Sequence, residues 1–208
     1  MQRHTEDDGV YIRSMSNRGH LGGIAEATPR VVALLDGLGF EEIIVETVGV
    51  GQAEVEVAGS ADTVVIVVTP GWGDAIQAAK AGLIEVGDVF VVNKADRPGA
   101  EQTVKELLGA LEIGPPRAWA PPVIETVASE GTGVTELGEA IEAHRSHLSN
   151  TGEQERRRRD RALAEVEAAM RTRLRRSTES GNVVPSEILD LVLSRQLDPW
   201  AAASGVVA

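Results

Sequence analysis

Residues 63–69 read TVVIVVT, and residues 88–92 read DVFVV. Both stretches are short and bounded by turn residues. Both are apolar at nearly every position rather than at every second one. A half-exposed strand alternates apolar and polar side chains. A strand apolar on both faces is covered on both, as in a parallel sheet with crossover helices above and below. These two runs therefore predict an α/β domain, and the rest of the chain is read outward from them.

Between the runs, Asp74 to Val86 predicts a helix. After the second run, Glu101 to Leu111 places Val104, Leu107, Leu108 and Leu111 on one helical face, and Pro122 to Val127 predicts a further strand. Val134 to His147 predicts the next helix. Upstream, Val10 to Met15 and Ile43 to Thr47 predict short strands. Leu21 to Leu38 predicts a helix stopped by Gly39. This alternation is that of a mostly parallel sheet over residues 1–150. After about Asn150 the composition changes to a long, charge-rich helix from Glu153 to Arg176, then a shorter helix from Pro185 to Leu193 and a last turn at LDPWAAA. Residues 151–208 are therefore expected to form a C-terminal helical extension.

The chain carries 20 basic and 32 acidic residues, a formal net charge of −12. Such a surface repels phosphate backbones and anionic lipid, so neither nucleic acid nor membrane is an expected partner. With no cysteine, disulfides and thiolate metal sites are excluded. MQRHTEDDG at the start has neither signal nor transit character, and no apolar run reaches spanning length; the expected location is cytoplasmic.

Ligands of parallel sheets bind at the carboxyl ends of strands. Four polar or glycine-bearing segments fall there: ETVG (46–49), PGWG (70–73), NKAD (93–96) and VASEG (127–131). In NKAD, the Asp96 carboxylate can accept hydrogen bonds from guanine N1–H and its exocyclic amine. Adenine presents an acceptor at N1. Bonds to a charged group are worth about 1.5–3 kcal/mol each, enough to select guanine. The Lys94 stem can cover the base face, and Asn93 can brace neighbouring loops. An isolated NKxD is as readily a polar turn; its place at a strand end favours the guanine reading. Glu46 can reach a magnesium-bound water or position an attacking one, and Gly49 N–H can sense a γ-phosphate. Amides of Val127, Ala128 and Ser129 can meet guanine O6. Asp74, Gln77 and Lys80 lie on a helix of small residues, which suits either a moving contact surface or an ordinary amphipathic helix. Gly49 and Gly51 do not begin a dinucleotide fingerprint, because Glu54 stands where its third glycine belongs. His144 and His147 lie three apart on a helix and could be metal ligands, but with no further His or Cys nearby they read as a solvated pair. Arg156 to Arg159 read as a solvated helix face.

Together VETVGVGQAEVEVA, PGWGDAIQAAKAGLIEVGDVFVVNKADRPGA and RSMSNRGHLGGIAEAT resemble the methylmalonyl-CoA mutase-associated GTPases, the MeaB, ArgK and MMAA group within the metallochaperone branch of the P-loop GTPases. The likeness covers nearly the whole chain. It implies a P-loop GTPase-type, mostly parallel sheet and GTP or GDP with Mg²⁺ as ligands. It implies a function in gating cobalamin loading and protecting a B12-dependent acyl-CoA mutase, and a homodimer formed through the helical tail. An older label for the group is a transport-system kinase. By motif matching, Glu46 and Gly49 fall in the acidic switch signature, with Glu46 on the Mg²⁺ side through water. Asn93, Lys94 and Asp96 fall in the guanine-specificity motif, Val127 to Ser129 in the last base-binding loop, and Asp74, Gln77 and Lys80 in a mobile switch. That loop usually begins with Ser, and Val127 keeps only the backbone donor.

No G-x-x-x-x-G-K-[ST] occurs in the chain. The family places that P-loop, whose lysine and amides hold the phosphates, ahead of a segment like QRHTEDDGVYIRSM. Met1 thus matches an internal methionine, and the sequence is expected to be the downstream part of a longer gene. The family's P-loop strand lies between the strands ending in ETVG and in VVT, so two apolar edges are expected to be left unpaired, an aggregation hazard. These 208 residues are expected not to hydrolyse GTP at a useful rate. Two alternatives stand beside this: a non-catalytic dimerising or mutase-binding fragment, and a nickel-metallochaperone-like GTPase. Zero Cys and four His speak against the last.

Overall fold

The structure is a computed structural model. It describes residues 7–15, 27–47, 59–71, 82–179, 184–199 and 201–202. The chain divides into two compact units, Met1–Arg158 and Arg159–Ala208.

The first unit is built on a three-stranded parallel sheet. Its strands are β1 (Val65–Val68), β2 (Val89–Asn93) and β3 (Val123–Thr126), in spatial order β1-β2-β3. Val65 pairs with Val89 and Phe90 with Val123, so both ladders run in sequence order. The apolar run of β2 does what its composition requires: Val89, Phe90, Val91 and Val92 are all essentially inaccessible. Phe90 and Val92 pack in a cluster with Val68, Ile84 and Leu107. Leu107 belongs to α2 (Ala100–Ile113), the crossover helix between β2 and β3. By strand alternation Val89 and Val91 face the other way. Helix α3 (Val134–Thr151), with Leu148 and His144 buried, packs on β2 and β3.

Local chemistry sets the boundaries. Helix α2 starts behind Gly99 at φ 91° and stops at Gly114, before Pro115-Pro116. Gly152, at φ 71°, separates α3 from α4 (Glu153–Glu179). Residues 82–86 are helical, and residues 74–81 of the predicted 74–86 helix lie outside the described residues. Arg117 closes that end: its guanidinium donates to the carbonyls of Ile84, Glu85 and Gly87. In the second unit, α5 (Ser186–Leu193) stands where a helix was expected, and residues 199, 201 and 202 are helical.

Two predicted strands do not form. Residues 10–15 and 43–47 belong to no sheet. A strand is a property of a pair, and among the described residues no strand lies beside either segment. Ile44 is 91% exposed as a result. The outer edge of β1 likewise has no partner among the described residues, and Val67 is half exposed. Helix α1 (Thr28–Gly37) forms with Pro29 in its first turn, yet buries no residue; Leu34 and Leu38 stay exposed. Residues 21–26 of that predicted helix lie outside the described residues.

Two further expectations are corrected at the amino end of the sheet. His144 is not solvated: it is fully buried. Its Nδ1 lies 2.8 Å from Thr63 Oγ1, and its Nε2 lies 3.3 Å from Asp88 Oδ1, without the alignment of a hydrogen bond. Its ring sits 5.0 Å from that of Trp119. Arg157 leaves the solvated face of the arginine run and grips Asp88. Nη1 donates to Oδ2 and Nη2 to Oδ1, both at 3.0 Å, and Nη1 also donates to the carbonyl of Asp62. The carboxylate of Asp88, which ends the loop before β2, accepts the Val64 amide as well, and its carbonyl accepts Trp119 Nε1–H. Tertiary contacts decided both cases, because these partners lie far away in sequence, where neither periodicity nor charge pattern reports them.

Candidate nucleotide-binding end of the sheet

At the opposite, carboxyl end, β2 runs directly into NKAD. Asn93 is its last residue and Lys94 turns the chain sharply, at φ 60°. A positive φ on a residue with a Cβ is uncommon and persists only where surroundings enforce it. Here the enforcing contact is Asn93 itself, whose Oδ1 accepts the Lys94 amide at 2.8 Å. The same oxygen accepts Thr126 Oγ1–H and the Ala128 amide, each at 3.2 Å. The Ala95 amide donates to the Thr126 carbonyl at 3.0 Å. One buried threonine and one asparagine thus tie the NKAD turn to the loop after β3. Asp96 lies beyond the turn with its carboxylate in solvent, and Lys94 is also exposed.

The β3 loop is stapled a second time. The Val127 amide donates to the Thr132 carbonyl, and the Glu130 amide to the Val127 carbonyl. Two of the three amides expected to meet a base are therefore engaged within the protein: Val127 by Thr132 and Ala128 by Asn93. Ser129 is exposed at the loop tip. Gly133, at φ 75°, lets α3 begin against β3; a Cβ there would come within 2.1 Å of the Glu125 carbonyl oxygen.

Glu46 is exposed on the 43–47 segment. Gly49, Asp74, Gln77 and Lys80 lie outside the described residues. Among the described residues no cluster of three or more ligating side chains could hold a metal. That is compatible with Mg²⁺, which keeps several waters and is held by one or two carboxylates plus substrate phosphates. Thr126 is the residue the sequence reading missed. It sits two positions before Ala128, and its role appears only once β2 and β3 are adjacent.

A parallel three-stranded α/β sheet with helices on it, carrying NKAD and a stapled glycine loop on neighbouring strand ends, has the architecture of the P-loop GTPase class. The family model described as "Methylmalonyl Co-A mutase-associated GTPase MeaB" matches residues 1–182, and the chain belongs to that family. It is 46% identical over its whole length to a "Putative GTPase" of Pyrococcus horikoshii, covering 67% of that protein. It is 42% identical over 78% of its length to a "Probable GTPase" of Mycobacterium tuberculosis, covering half of that one. Over 72% of its length it is 34% identical to the mouse protein "Methylmalonic aciduria type A homolog, mitochondrial", covering 37% of it. The chain thus spans from two thirds to little more than a third of the length of these relatives.

Proposed function

We propose that this chain carries the guanine-recognising part of a GTP-hydrolysing chaperone, which gates cobalamin loading and protection of a methylmalonyl-CoA mutase-type enzyme. Family membership supports the GTPase class. The observation that carries the site is Asn93 Oδ1, which fixes the NKAD turn and the β3 loop together and leaves Asp96 projecting beyond them.

In this reading Asp96 accepts two hydrogen bonds from the guanine Watson–Crick edge. The Lys94 stem lies against the base, and the β3 loop closes the O6 side through Ser129. Val127 and Ala128 shape that loop. Glu46 meets the Mg²⁺ side through water and Gly49 the γ-phosphate. Asp74, Gln77 and Lys80 form the responsive segment that reports nucleotide state to a partner. Mg²⁺ supplies charge neutralisation at the phosphates. The Walker sequence that would cradle those phosphates does not occur in these 208 residues. The expected behaviour of the chain is therefore weak but guanine-selective binding, with no useful turnover. Equilibrium dialysis against GDP and ADP checks this. Equal retention of the two would refute the guanine reading, and robust GTP turnover abolished by Asp96→Asn would refute the inactivity.

A second reading, a dimerising and partner-binding module, is favoured by one observation in the second unit. Leu163, Val166 and Met170 recur at helical spacing on α4, and all are more than half exposed. An apolar stripe of this kind suits a helix-to-helix contact with a second copy.

A further inference from the structure

The buried cluster at the amino end of the sheet lies at the far end of β2 from NKAD, and the nucleotide reading makes no use of it. Asp88 is its hub: its amide, its carbonyl and both carboxylate oxygens are engaged by Val64, Trp119 and Arg157. Arg157 stands in the second turn of α4 and reaches across 69 residues of sequence to do so. His144 lies beneath this pair with no water access and no aligned partner for Nε2.

The neutral ring fits this site in one tautomer. With the proton on Nε2, the ring turns an N–H toward the Asp88 carboxylate, and Nδ1 accepts the Thr63 hydroxyl. The opposite tautomer would point a lone pair at a carboxylate. An added proton would sit on Nδ1, where it removes the acceptor for Thr63 and leaves two cations contending for one carboxylate. We propose that Asp88, His144 and Arg157 form a proton-sensitive latch, which holds the first turns of α4 to the amino end of β2 while the imidazole is neutral and releases them when it is protonated.

The groups facing His144 decide the direction. From the loop before β2, Asp88 favours the charged ring. From α4, Arg157 opposes it and Glu153 favours it, although Glu153 is itself held by Arg156 and Arg157. From α3, His147 opposes it, with its ring 6.5 Å away. Thr63 and Trp119 carry no charge. Burial outweighs the pull of Asp88 and holds the His144 pKa below its ordinary 6.5. An opened site, where the ring is hydrated, binds the proton more tightly, so acid drives opening. Above pH 6.5 the closed form is fully favoured, and the preference is lost as pH falls below that value.

Trp119 provides a built-in reporter, since its ring touches both histidines and its Nε1–H bonds to Asp88. With Trp72→Phe and Trp200→Phe in place, Trp119 is the single tryptophan. Its emission is followed from about pH 8 to about pH 5, the window of imidazole titration. The expected result is a transition centred below 6.5 with the far-ultraviolet circular dichroism retained. His144→Gln should abolish that transition, and His147→Gln should keep it. An unchanged transition in His144→Gln, no transition, or loss of helical signal at the same midpoint would overturn the latch. Should His144→Gln not fold, the imidazole resonance of His144 in the unsubstituted chain decides. A midpoint below 6.5 supports the latch, and one at or above 6.5 overturns it.

Discussion

Asn93 Oδ1 accepts three hydrogen bonds, from Lys94, Thr126 and Ala128. Removing Thr126 Oγ by Thr126→Val takes one of them and leaves the shape. The expected cost is about 1 kcal/mol of stability, measured by urea denaturation. Gly133→Ala is the harsher change, because the new Cβ meets a backbone oxygen that cannot rotate away and φ is positive. It should lower stability by about 2 kcal/mol or more, in the same assay. Asp96→Asn behaves differently. The carboxylate is exposed, so folding should be untouched, while guanine nucleotide affinity falls roughly 10- to 100-fold, read by displacement of a fluorescent GDP analogue.

Elements differ in how far the sequence announces them. β2 was legible because it is apolar on both faces, and a run of that kind has only one comfortable setting in an α/β domain. Helix α2 was legible from the spacing of its apolar residues, and α3 from its place in the strand–helix alternation. Residues 43–47 are as rich in β-branched side chains as β3, yet remain outside the sheet, since ladder formation depends on a neighbour that composition cannot supply. The amino-end cluster was illegible for a related reason. His144 and His147 look alike on the helix, and Arg157 looks like its three arginine neighbours. Only the docking of α3 onto the sheet and the reach of Arg157 to Asp88 separate them. The same reach predicts that Arg157→Met strands the Asp88 carboxylate in a site with 7% side-chain exposure. The expected loss is about 3–5 kcal/mol, measured by denaturation, whereas Arg156→Met, at an exposed position, should change stability by less than about 1 kcal/mol.

At the scale of the whole molecule, the two units differ in character. The first has a buried strand at its centre. The second exposes an apolar stripe on α4 and further leucines at 189, 191 and 193 on α5. Light scattering after size exclusion should report a dimer, and Met170→Glu with Val166→Glu should shift it to monomer without loss of helical signal. Among the described residues no helix is long and apolar enough to cross a membrane.

The spatial order of the sheet, β1-β2-β3, is also its order of synthesis. Among the described strands, β2 and β3 each leave the ribosome to meet an edge already made, and neither is inserted between two earlier strands. Asp88 waits longer for its partner. Its carboxylate is translated 69 residues before the arginine that neutralises it. At about 5–20 residues per second it stays unpaired for several seconds of elongation. The grip of Arg157 on Asp88 is thus among the last events in assembling the first unit.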